Sequence, residues 1–128
     1  MSVAAAEAAA EKTATDIVAI DVSQPLVITD IFVICSAPND RAVKAAVDSV
    51  EERLAREFGV RPVRREGVSD LRWVLLDYID IVVHVQHIEE HTYYQLERLW
   101  RDCPFVELPA AVSAPRSVHD AARLEGRS

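Results

Sequence analysis

Glycine is scarce in this chain: Gly59, Gly67 and Gly126 are the only three among 128 residues. A loop that cradles phosphate needs glycines close together, and the turn Cys35-Ser-Ala-Pro-Asn39 has none. Cysteine is scarcer still. Cys35 and Cys103 are too few for a disulfide framework, and neither belongs to a CxxC pair that could hold structural zinc. They read as two reduced, buried thiols, and Cys103, beside Pro104 with no neighbouring histidine, is a poor candidate for an activated nucleophile. Basic charge is in deficit: 14 Lys and Arg stand against 21 Asp and Glu, a formal net charge of −7. Such a surface repels phosphate backbones, which argues against unaided nucleic-acid binding and favours a basic partner, including the proteins that coat RNA. No apolar run approaches the roughly 20 residues that span a bilayer. The opening MSVAAAEAAAEKTATD is interrupted by Glu7 and Glu11 and lacks both a basic start and a strong apolar stretch. It does not read as a signal peptide, so the expectation is a cytoplasmic protein with no membrane partner.

What is present suits one domain. Half of the residues are hydrophobic, enough to enclose a single core at this length. Residues 3–13 are good helix formers with little apolar stripe, so a first helix that packs loosely or frays is expected. Asp16–Val22 reads as a strand. Asp30–Cys35, apolar on both faces, reads as a second, central one. Asn39 then caps a helix whose stripe is Val43, Val47, Val50, Leu54 and Phe58, ended by Gly59. Pro62–Arg65 fits a short edge strand. A hairpin follows at residues 73–85, then a last helix from about Ile88 to Arg101 bearing Tyr93, Tyr94, Leu96, Leu99 and Trp100. The order predicts an α/β domain over residues 1–109, a mixed sheet of about five strands packed by helices, and a disordered tail over 110–128.

The hairpin WVLLDYIDIVVHV carries the most information. With a two-residue turn at Tyr78-Ile79, Asp77 faces Asp80, Leu76 faces Ile81, Leu75 faces Val82, Val74 faces Val83 and Trp73 faces His84. One face is then aliphatic: Val74, Leu76, Ile81 and Val83. The other holds Trp73, Leu75, Asp77, Asp80, Val82, His84 and Gln86, an aromatic and apolar centre with an acidic margin. That composition fits a protein interface. The two facing aspartates would repel by about 0.2–1 kcal/mol, which a partner's Lys or Arg would relieve. On the residues alone the plainer reading comes first, that both are ordinary solvated turn residues.

The spaced words TDIFVI, EG…WVLLDYIDIVVHV and YYQLERLW, followed by Asp102 and Pro104, resemble the ribosomal silencing factor (iojap-like) family across roughly residues 15–106. The resemblance implies a nucleotidyltransferase-like topology without the catalytic site. It implies a translation repressor that binds the large ribosomal subunit through large-subunit ribosomal protein fourteen and blocks joining of the subunits. It also implies a homodimer when free, no enzymatic activity and no cofactor. Carried over by position, it assigns docking to Trp73, Leu75, Asp77 and Tyr78, with His84, Glu89 and Glu90 as neighbours. Family members usually carry glycine where Ile79 stands; a β-branched residue disfavours positive φ, so a different turn is expected here.

Other chemistry is weakly signalled. No D-x-D follows the turn after the second strand, and Asp77 and Asp80 lack an adjacent basic residue to meet phosphate, so a residual nucleotide-binding or nucleotidyltransferase-like enzyme is the alternative reading. His84 and His87 should project to opposite faces of one strand, with His91 on the following helix. Three ligands so placed do not converge on a metal.

Overall fold

The computed structural model describes residues 1–12, 14–24, 26, 29–90, 102–109 and 112. The expected last helix beyond residue 90, with its aromatic residues and His91, lies outside them, as does the expected tail apart from Val112. The elements are α1 (Ser2–Ala10), β1 (Thr15–Asp21), β2 (Ile31–Ala37), α2 (Asp40–Phe58), β3 (Arg64–Glu66), β4 (Trp73–Asp77), β5 (Ile81–His87) and β6 (Phe105–Val106). They form a mixed α/β domain on one six-stranded sheet in the order β3-β4-β5-β2-β1-β6. The expected strand count was one short: Phe105-Val106 pairs antiparallel with Ala19-Ile20, a strand too brief to leave a pattern in sequence.

α2 begins and ends where local chemistry dictates. The Asn39 side chain accepts the Ala42 N–H at 2.8 Å, and Gly59 closes the helix at φ +67°. Val43, Val47, Val50 and Leu54 are buried as the stripe predicts, joined by Ala46; Phe58, one turn further, is exposed. α1 departs from expectation. Ala4, Ala5, Ala6, Ala8 and Ala9 are all buried and pack with α2 and the sheet in one core cluster. Alanine offers no stripe of large side chains to read, yet its small volume lets two helices approach closely. Ser49 Oγ donates to the Ala8 carbonyl at 2.9 Å across that seam, and Arg53 reaches both Glu7 and Glu11.

β2 is central, as its two apolar faces predict. It pairs antiparallel with β1 and parallel with β5, Ile34 lying opposite His84. β5 therefore has a strand on each side, and all seven of its residues are buried. One side of the sheet carries Val33, Cys35, Val74, Leu76, Val83 and Val85 into the main core beneath the helices. The other carries a smaller cluster of Ile20, Val22 and Ile34, against which Phe32, Trp73 and Cys103 pack.

Candidate functional site

The β4–β5 hairpin places the expected residues, with a corrected register. Trp73 pairs with Gln86, Val74 with Val85, Leu75 with His84, Leu76 with Val83 and Asp77 with Val82. The expected pairing is displaced by two residues. Because side chains alternate with period two, such a displacement keeps each residue on its predicted face. It does separate Asp77 from Asp80, so the two carboxylates do not confront each other across the ribbon.

The bend explains the displacement. Ile79 adopts φ +76°, the Tyr78 N–H donates to the Ile81 carbonyl at 2.9 Å, and the Asp80 N–H donates to the Tyr78 carbonyl at 3.0 Å. The positive φ expected to be avoided by a β-branched residue is therefore present. Asp77 helps to hold it: one carboxylate oxygen accepts the Ile79 N–H at 2.8 Å, and the other stands 3.5 Å from the Arg64 guanidinium. The cation expected from outside is already supplied, at long range, by β3.

Trp73, Leu75 and Asp77 are half-buried on one side of β4. The rest of that side differs from the open patch expected. Val82, His84 and Gln86 are 7, 5 and 0% exposed, because β5 is an interior strand and the smaller cluster covers its flank. His84 lies beneath the surface with Nδ1 accepting the Trp73 Nε1–H at 3.2 Å. Burial pushes its pKa down to about 4. Tyr78 falls on the opposite side, buried in the main core, with its hydroxyl unpartnered among the described residues. Burial raises that phenol to about 12. Glu89 and Glu90 stand beyond the far end of β5 from the bend and share Arg72, whose guanidinium lies 3.3 and 3.4 Å from them.

Three residues support the site in ways the sequence does not assign to them. Gly67 takes φ +77° so that its α-carbon can press on β4; a Cβ there would lie 2.1 Å from the Trp73 carbonyl oxygen. Arg64 and Arg72 pair with acids 13 and 18 residues away, contacts visible only once the strand pairing is known. The Glu66-Gly67 dipeptide was the one available signal, since a glycine just ahead of a strand often marks close backbone approach.

A cavity of about 590 Å³ opens at the carboxyl ends of β2 and β5, lined by Asn39, Asp40, Arg41, Arg72 and His87. This is where open α/β sheets commonly take ligands. Here Asp40 faces into it and Arg72 is engaged by Glu89 and Glu90. No cluster of three metal-ligating side chains occurs among the described residues. Cys35 is fully buried and its thiol is pushed up to about 12, which leaves it unreactive.

Comparison with known proteins agrees with this architecture. A family model described as "Ribosomal silencing factor during starvation" matches residues 1–127. A ribosomal silencing factor of Bacillus subtilis is 40% identical over 104 residues, 81% of this chain and 87% of that protein. The chloroplastic Iojap protein of Zea mays is 30% identical over 84% of this chain and 46% of its own length. Among solved structures, a protein from Chromobacterium violaceum superposes with a TM-score of 0.72 at 35% identity, covering 77% of this chain and 81% of its own. One from Bacillus halodurans gives 0.69 at 38% identity, covering 81% and 93%. The chain belongs to the ribosomal silencing factor family.

Proposed function

We propose that this protein is a translation repressor that docks on the large ribosomal subunit through large-subunit ribosomal protein fourteen and blocks subunit joining by occupying the contact. One observation supports this above the others: Trp73, Leu75 and Asp77 share one half-buried side of β4, an aromatic and aliphatic anchor ending in an acid. Family membership supports the ribosome as the target. In this reading Trp73 and Leu75 give desolvated contact. Asp77, kept in place by the Ile79 N–H, exchanges its long contact with Arg64 for a Lys or Arg of the partner. Tyr78 braces the bend from the core side, and Glu89 and Glu90 with Arg72 form an acidic margin. The net charge of −7 suits a basic ribosomal protein. The repressor works without catalysis or cofactor, in the cytoplasm, and dimerises when free.

The cavity at the ends of β2 and β5 is the feature that favours the alternative, a residual nucleotide-binding enzyme. Its glycine-free turn and its acids make it the weaker reading. Trp73→Ala is expected to weaken binding to purified large subunits by at least 2 kcal/mol, about thirtyfold. Unchanged affinity would remove the tryptophan from the contact. Saturable calorimetric binding of a nucleoside triphosphate with Mg²⁺ would promote the alternative.

A further inference from the structure

Trp73 is half-buried, and an indole at a surface can rotate unless something fixes it. Beside its packing against the smaller apolar cluster, this indole has a directional partner in His84. Trp73 and His84 are diagonal neighbours across β4 and β5, with ring centroids 6.3 Å apart, and the indole Nε1–H donates to Nδ1 at 3.2 Å. That bond defines the histidine: Nδ1 carries the lone pair, so the neutral ring bears its proton on Nε2. Burial favours the same neutral form. The imidazole is itself held, since Phe32 meets it edge-on with centroids 4.9 Å apart and its strand lies between β4 and β2. Orientation is thus passed from the middle of the sheet outward to the tryptophan.

We infer that His84 is a positioning residue of the docking face, which holds the Trp73 indole in one orientation through Nδ1 and meets the partner only through it. This deepens the docking reading and rests on it. It also narrows what the partner presents. With its N–H already engaged, the indole offers ring face and carbon edge, which suit the alkyl stem or cationic head of Lys or Arg better than a hydrogen-bond acceptor.

Two substitutions separate positioning from burial. Asparagine places its carbonyl oxygen near where Nδ1 stands; leucine fills similar space and offers no acceptor. His84→Leu in the full chain is expected to lower affinity for purified large subunits about tenfold, the scale of one oriented hydrogen bond. His84→Asn should stay within about threefold of the unsubstituted protein even though a buried amide melts earlier than a buried leucine. Affinity and thermal stability therefore move in opposite directions, which a merely structural histidine would not produce. Equal losses in both variants would overturn the inference. So would a His84→Leu protein that binds normally while Trp73→Ala does not, an outcome that leaves docking intact. A Trp73→Ala protein that binds normally overturns the docking reading and this inference with it. Should neither variant fold, the unsubstituted protein still decides. Its Trp73 indole N–H, assigned by loss of the signal in Trp73→Phe, should exchange slowly with solvent, and exchange at the rate of a free indole would overturn the inference.

Discussion

Ile79 holds φ +76° at a site where it is 56% exposed, so it buries little in return for a conformation that costs a β-branched residue on the order of 1–3 kcal/mol. Glycine would remove that strain and lose about 0.5–1 kcal/mol to its greater freedom in the unfolded chain. The difference favours the substitution. Ile79→Gly is expected to stabilise the protein by about 1 kcal/mol, seen as a rise of roughly 4 °C in Tm, provided the turn is unchanged. A lower Tm would mean that the isoleucine side chain contributes contacts outweighing its backbone strain. The same residue shows how far sequence reading reaches at this scale. That a β-branched residue should avoid positive φ is sound in general, but Asp77 and the Tyr78–Ile81 pairing over-determine the bend. Neither bond can be inferred before the register is known. Faces survived the error because a two-residue displacement preserves parity.

At the scale of elements, what was legible depended on how local the information is. α2 could be placed to the residue because its cap, its stripe and its terminal glycine all lie within the helix. β5 could be recognised as a strand. Its burial on both sides could not, since that follows from pairing with β2, about fifty residues earlier in the chain. Hence His84, Val82 and Gln86 looked like members of an open patch, and are its floor. α1 misled in the opposite sense: without large side chains to form a stripe, it promised little packing. Its alanines are nonetheless a close fit against α2. Enlarging one should be costly. Ala8→Leu, at a fully buried position whose carbonyl accepts from Ser49, is expected to destabilise by about 1–3 kcal/mol in denaturant unfolding. An unchanged midpoint would show that the seam has room to spare.

At the scale of the molecule, one buried histidine gives stability a predictable pH dependence. The folded pKa of His84 is pushed down to about 4 from an ordinary 6.5. As pH falls, the unfolded chain takes up the proton first, so this contribution is full above about pH 6.5 and is lost progressively toward pH 4. The loss reaches up to about 3 kcal/mol. Thermal melts at pH 7 and pH 4.5 should show a smaller acid-induced drop for His84→Leu than for the unsubstituted protein; equal drops would mean that His84 titrates normally. The sheet also sets how this surface can be altered. β5 shows Val83 and Val85 to the main core and His84 and Gln86 to the floor under Trp73, so every position along it meets a buried compartment on one side or the other. β4 borders only the three-residue β3 on its outer flank. If β4 is the docking strand, Leu75 is the position along it where a lineage could follow a changing partner most freely, because Trp73 is tied to His84 and Asp77 to the bend.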